Sequence, residues 1–251
     1  MRLLNVIQNL AFGVYSRSQD LDLFRFAILD TLFVRSYFLY KQYFEKPNLT
    51  LISRIVAEGD FCIDVGGGFG FYAVEMAKKV GKSGFIISCE PDLVNYKRCL
   101  ISIQSRAYED QVEVRNIGLS SRPGIGWLQI DKRNPANHKV IDTEKGNEIT
   151  LETIDELFNQ VGRVPSFVKI DVQGHELEVL KGARSLIAKK QTSFLVEIDP
   201  CNDAQSTEEI WGLMVENGYS GFIICKDGTL LEINELPSSR TYFDLLFRFV
   251  V

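Results

Sequence analysis

Short apolar runs and longer amphipathic stretches alternate along most of the chain. The runs FCIDV (61–65), GFIISCE (84–90), VEVRNIG (112–118), SFVKID (166–171), SFLVEI (193–198), GFIICK (221–226) and 242–250 are rich in β-branched and aromatic residues, and they predict strands. Between them, 71–80, about 92–106, about 174–189 and about 208–217 carry helical patterning. Thr153 with Glu156, and Ser206 with Glu209, form capping-box pairs that start helices. Strand–helix alternation at this spacing predicts an α/β fold: a doubly wound, mostly parallel, seven-stranded sheet with helices on both faces. Residues 120–150 interrupt the rhythm. Trp127–Ile130 and Glu148–Leu151 read as strands flanking a polar, turn-rich stretch, which predicts a hairpin-like insertion. His138 lies in that stretch and reads as a solvated loop histidine.

The first part of the chain has a different texture. Residues 1–58 predict a helical extension, and residues 59–251 the α/β domain. Leu21–Phe44 is apolar almost throughout, with charges at Asp22, Arg25, Asp30, Arg35 and Lys41. Pro47 ends this helix or begins the next, and Leu49–Ala57 reads as a short amphipathic helix closed by Gly59. Of 26 Phe and Tyr residues, ten fall in the first fifty positions: Phe12, Tyr15, Phe24, Phe26, Phe33, Tyr37, Phe38, Tyr40, Tyr43 and Phe44. Three uses stay open for these rings: extra core, a lid or wall for an acceptor, or contact with a membrane surface or a second subunit through residues 1–50.

Composition narrows the class. With 251 residues, 45% hydrophobic and 24% charged, the chain is neither disordered nor fibrous. A net charge of −5 disfavours a protein that coats nucleic acid. The five cysteines are odd in number and include no C-x-x-C pair, so neither a disulfide framework nor a zinc site is signalled. A reducing, cytoplasmic setting fits buried thiols. There is no uninterrupted apolar stretch long enough for a span, and Asn5, Gln8 and Asn9 break any secretory signal.

The strongest local signal is Asp64-Val65-Gly66-Gly67-Gly68-Phe69-Gly70, a glycine turn between a strand and a helix. Glycines allow positive φ and close approach of a ligand to backbone N–H groups at a helix start. A dinucleotide fingerprint, G-x-G-x-x-G, would put its third glycine at 71, where Phe71 stands. The acidic residue two places before Gly66 has no use beside a pyrophosphate. It suits a cationic amino-acid moiety, such as that of S-adenosylmethionine. Glu90 closes the next strand and can accept ribose hydroxyl hydrogens, and Pro91 follows it. The expected donor-binding set is therefore Asp64, Gly66, Gly68, Gly70, Glu90 and Pro91.

A second signal is KIDVQGHE (169–176) followed by LEVLKGARSLI. In open parallel sheets ligands bind outside the carboxyl ends of strands, which places Asp171 at the same crevice as Glu90. In order, FCIDVGGGFGFY, CEPDLVNYKRC, NIGLSSRPG, ITLETIDEL, FVKIDVQGHELEVLKGA and FLVEID resemble the FkbM family of S-adenosylmethionine-dependent methyltransferases over roughly residues 60–200. Gly67 stands where that family commonly has alanine, and His175 where it has a small or aromatic residue. The resemblance implies a Rossmann-like methyltransferase that uses S-adenosylmethionine. It implies methylation of a hydroxyl of a sugar, glycan, glycolipid or natural-product acceptor, with no nucleic-acid partner.

A sugar hydroxyl is a poor nucleophile, so a proton acceptor is expected. Asp171, His175 and Glu197 are the catalytic candidates; Glu176, in the first turn of a helix, also complements the helix dipole. Asp171, Glu176 and Glu197 are hard oxygen ligands of the kind Mg²⁺ accepts, but no compact motif joins them, and no metal site is assigned. Three alternatives stay open: a methyltransferase acting on protein or nucleic acid, a nicotinamide dehydrogenase, and a non-enzymatic scaffold of the same fold.

Overall fold

The computed structural model describes residues 27–131, 134, 138–141, 143–200, 203–237 and 242–250. Phe12, Tyr15, Phe24 and Phe26 lie outside the described residues. Two helices open the described chain, α1 (Ala27–Phe44) and α2 (Lys46–Ile55). Pro47 begins the second helix, sitting in its first turn where no intrahelical N–H is needed.

The expected alternation follows as β1 (Phe61–Val65), α3 (Phe71–Val80), β2 (Phe85–Cys89), α4 (Leu93–Gln104) and β3 (Val112–Arg115). Next come β4 (Gly118–Leu119), β5 (Gly124–Gln129), β6 (Lys139–Ile141), β7 (Asn147–Glu152) and α5 (Ile154–Val161). The remainder is β8 (Phe167–Ile170), α6 (Glu176–Lys181), α7 (Arg184–Lys189), β9 (Ser193–Ile198), α8 (Ala204–Glu216), β10 (Tyr219–Ile224), β11 (Leu230–Ile233) and β12 (Phe243–Phe249).

The main sheet has the order β11-β10-β12-β9-β8-β1-β2-β3. Strands β3, β2, β1, β8 and β9 pair in parallel, and β12 runs antiparallel to both β9 and β10. The seven expected strands are present, and the short β11 adds an eighth at the edge. Strand order reverses at β1, so the crevice between the ends of β1 and β8 is the place where such sheets hold ligands. One apolar cluster lies under α5–α8, built around residues such as Val168, Leu186 and Phe247. The other lies under α1–α4, around Leu51, Met76, Ile86 and Leu195.

Four local expectations change. The run 112–118 is not one strand. Asn116 donates to the carbonyls of Glu90 and Pro91, both at 2.9 Å, and turns the chain so that Gly118–Leu119 joins a second sheet of order β4-β7-β5-β6. The insertion is therefore a four-stranded sheet rather than a hairpin. The helix expected over 174–189 breaks at Gly182, whose carbonyl accepts from Asp155 N–H at 3.0 Å. The Asp155 carboxylate then caps α7 through Ser185 and Leu186 N–H groups (2.8 and 3.0 Å). Finally, α8 starts at Ala204, with Asp203 rather than Ser206 as its cap; the Thr153–Glu156 capping box forms as expected. Among the described residues, no helix is long and apolar enough to cross a membrane.

Candidate functional site

The glycine turn is shaped by what surrounds it. Gly66 and Gly67 N–H groups both bond the Cys89 carbonyl, at 3.0 and 2.9 Å, which folds the turn over the end of β2. Gly66 has φ +80°, and a Cβ there would collide with the carbonyl oxygen of Asp171. Gly68 (φ +54°) faces open space, so a side chain at this position would occupy the cavity itself. Gly70 caps α3 and packs against Cys99, off the cavity wall.

Asp64 is also placed away from the wall. It is 1% exposed beneath the turn, where it accepts from Ser88 Oγ at 2.9 Å. Burial pushes its carboxyl up to about 6. The structure therefore gives Asp64 the position of a brace under the turn.

Glu90 occupies the position expected from sequence. Its Oε2 accepts from Gly68 N–H (2.7 Å) and its Oε1 from Asp92 N–H (2.8 Å). It lines a cavity of about 250 Å³. Burial pushes it up to about 8, against the pull of those two backbone donors. Pro91, Ile117 and Leu119 continue this wall, and Leu128 and Val140 of the small sheet complete it. His138 is not a solvated loop residue. It lines the cavity, its Nδ1 accepts from Asp131 N–H at 3.1 Å, and burial holds it below the ordinary histidine range. The small sheet brings it there: β6 pairs with β5 immediately after it.

Three further polar side chains of the cavity lining, Asp171, Gln173 and Glu197, come together at the carboxyl ends of β8 and β9. Asp171 and Glu197 hydrogen-bond to each other. Gln173 Nε2 lies 3.1 Å from Asp171 Oδ1 and 2.8 Å from Glu197 Oε2. Burial raises the Asp171 carboxyl, but Lys169, Lys41 and the two hydrogen bonds outweigh it and hold Asp171 below its ordinary value. Burial and the neighbouring Asp171 push Glu197 well above its own. The two carboxyl groups are thus pushed in opposite directions, and Glu197 is the harder of the two to ionise. His175 also lines the cavity, with Nε2 3.0 Å from Ser120 Oγ.

Behind the pair lies a polar network that sequence reading missed. Register places Asp64 beside Lys169 and Glu197 beside Asp244, and the strand period of two puts these four side chains on one face. Lys169, 1% exposed, reaches Asp244 Oδ1 at 2.7 Å. Asn48 Nδ2 donates to Asp244 Oδ2 (2.8 Å) and Glu45 Oε2 (2.9 Å). Glu45 also accepts from Tyr72 OH (2.8 Å) and Lys41 Nζ (2.9 Å). No sequence motif marks this set, because its members come from α1, α2, α3, β8 and β12.

The aromatic start divides between two uses. Phe33 and Tyr37 pack edge-on against Phe69, and Phe38 against Phe71. Arg98 binds Asp30 at 2.6 Å and stacks over Phe33 and Phe69, fixing α1 to α4. Tyr37, Tyr40 and Phe44 also line the cavity opposite His138, joined by Tyr242. Leu32, Leu39 and Tyr43 are exposed on the outer side of α1.

Both Glu176 carboxylate oxygens are taken by backbone: Gly174 N–H lies 3.0 Å from each, and Val172 N–H 3.3 Å from Oε1. Asp171, Glu176 and Glu197 therefore do not converge. Among the described residues, no group of three or more His, Cys, Asp or Glu side chains is placed to hold a metal ion.

Residues 64–220 match the Methyltransferase FkbM domain. Hexuronic acid methyltransferase AglP of Haloferax volcanii is 36% identical over 143 residues, which is 55% of this chain and 56% of that protein. The match thus spans just over half of that relative's length. A methyltransferase FkbM from Methylobacillus flagellatus KT superposes with a TM-score of 0.53 at 16% identity, covering 75% of this chain and 43% of that one. A putative rRNA-methylase from Clostridium thermocellum gives a TM-score of 0.52 at 10% identity, covering 81% and 94%. At these identities the two structures show a shared fold.

Proposed function

Since the chain belongs to the FkbM methyltransferase family, we propose that it transfers a methyl group from S-adenosylmethionine to a hydroxyl oxygen of a sugar-containing acceptor. The observation that carries this reading is one cavity lined by the glycine turn, the buried Glu90 and the Asp171–Glu197 pair. The residues present fit the donor: a carboxylate for a ribose diol, open space over Gly68, and an apolar wall for a purine. When bound, the donor supplies an activated methyl carbon on sulfur. The chain's task is to hold the acceptor oxygen in line with it, and such positioning is worth ~7–11 kcal/mol.

Asp171 takes the acceptor's proton in this reading. As the oxygen gains its bond to carbon it becomes oxonium-like and strongly acidic, so even a carboxylate of low pKa suffices. Glu197 holds the shared proton and keeps the pair from carrying two charges. His175, beside Ser120, orients the acceptor hydroxyl. Tyr37, Tyr40, Phe44 and Tyr242 supply faces against which a sugar ring packs.

The hexuronic acid relative supports a sugar acceptor. The carboxylate pair favours a hydroxyl target, because a carboxylate acceptor would need no base. Five acidic residues lining the cavity, Glu45, Glu90, Asp171, Glu197 and Asp199, disfavour a phosphate-rich nucleic-acid substrate.

The test has two parts. Calorimetry with S-adenosylhomocysteine should show binding, and donor turnover should be screened across sugar-nucleotide, glycolipid and natural-product acceptors. Absence of S-adenosylhomocysteine binding at millimolar ligand would overturn the donor assignment. Transfer confined to carboxylate-bearing acceptors, with neutral sugars inert, would overturn the hydroxyl assignment.

A further inference from the structure

We propose that Gln173 is a positioning residue whose one amide bridges the Asp171 and Glu197 carboxyl groups and separates the steps in which they ionise. The inference rests on reading that pair as the proton acceptor of the transfer. One amide nitrogen of Gln173 meets both carboxylates, at 3.1 Å from Asp171 Oδ1 and 2.8 Å from Glu197 Oε2. An amide NH₂ has two hydrogens and no acceptor capacity, so each hydrogen serves one carboxylate. The two oxygens it faces are thereby committed as acceptors. A proton shared between Asp171 and Glu197 is directed away from the two oxygens that face the amide. The carbonyl of the same amide would repel the ionised member of the pair, so the amide orientation is determined.

The backbone carries a second, independent sign. Gln173 has φ +55°, and only Ala107 and Lys190 share a positive φ among the described non-glycine residues. Glycine adopts this conformation readily and glutamine does not. Glu176 holds the turn by accepting from Val172 and Gly174 N–H groups on either side. The chain thus keeps a strained glutamine where its amide reaches two carboxylates, and strain of this kind concentrates at functional sites.

Charges from other elements bias the pair but do not choose its oxygens. Lys169 from β8 and Lys41 from α1 favour the ionised form of Asp171, while Asp244 from β12 opposes a charge on Glu197. Tyr37 from α1 and Glu45 from the junction of α1 and α2 face the same space, with Glu45 paired to Lys41.

The experiment is a ¹³C NMR titration of side-chain carboxyl carbons in the full-length protein, wild type against Gln173→Met and Gln173→Gly. Met keeps the length and removes the amide; Gly removes the amide and relieves the backbone. The wild type should titrate the pair in two separated steps. In both variants the lower step should rise by ~1–2 pH units, the loss of a hydrogen bond to a charged group. The melting temperature of Gln173→Gly should not fall. Titration unchanged in both variants would overturn the inference, as would loss of folding in both, which would mark a purely structural role. S-adenosylhomocysteine binding measured on the same samples separates this from failure of the proposed function: intact binding with an unmoved titration sinks only the role of Gln173.

Discussion

The carbonyl oxygen of Asp171 occupies the space that a Cβ on Gly66 would fill. The first glycine of the turn and the carboxylate-bearing strand end are therefore built against each other. The Asp171 N–H bonds the Val65 carbonyl at 3.0 Å, which closes the same junction from the other side. Gly66→Ala should lose S-adenosylhomocysteine binding in calorimetry. It should also lose ~1–3 kcal/mol of stability, from overpacking and a positive φ. A variant that bound ligand normally and melted like wild type would show that the junction yields.

Asp171→Asn preserves shape and removes the proposed proton acceptor. Turnover should fall ~10²–10⁴-fold, with S-adenosylhomocysteine affinity changed little. Steady-state kinetics against calorimetry on the same preparation gives the split. A variant that lost affinity and turnover together would make Asp171 a donor-binding residue instead.

Glu90 makes a prediction about pH. Its folded value, about 8, lies above its ordinary 4.5 because burial disfavours the charge. The native state therefore holds more protons than the unfolded chain between those values. Its contribution to stability is fully present below 4.5 and is lost as pH rises through about 8. Asp64, pushed up to about 6, acts in the same direction. Melting temperatures across this window should fall with pH in the ligand-free protein, and Glu90→Gln should flatten the fall. A slope untouched by the substitution would assign it to other groups.

The aromatic residues of α1 should separate into two classes. Phe38 is 4% exposed and packs on Phe71, so Phe38→Ala should cost ~3 kcal/mol in chemical denaturation. Tyr40→Ala with Phe44→Ala should raise KM for the acceptor while leaving S-adenosylhomocysteine affinity in place. Equal effects of both changes on folding and on KM would erase the distinction between core and wall.

Local pattern was enough for the main strands, the glycine turn, Glu90, Asp171 and the family, because each depends on residues close in sequence. Short apolar runs specify buried strands, and positive-φ turns favour glycine. Strand ends follow from the runs themselves, which is why the carboxylates beyond them were legible. Where neighbours compete for the same backbone group, local reading failed. Ser206 looks like a cap, but Asp203 starts the helix one turn earlier and takes both the N–H and the hydroxyl of Ser206. Gly182 sits within a helical pattern, yet its carbonyl belongs to Asp155.

Long-range assembly decided the rest. His138 entered the cavity only because β6 pairs with β5, and Asp64 left the wall because the turn folds over it. Gln173 gave no sign of bridging two carboxylates until β8 and β9 lay side by side. The network from Lys41 to Lys169 joins residues more than a hundred positions apart. The sequence by itself determined the fold class and the glycine turn, since both are written in short-range spacing. Tertiary structure alone decided the opposite shifts of Asp171 and Glu197, because a buried carboxyl's readiness to ionise is set by whichever partners the fold brings within hydrogen-bond reach.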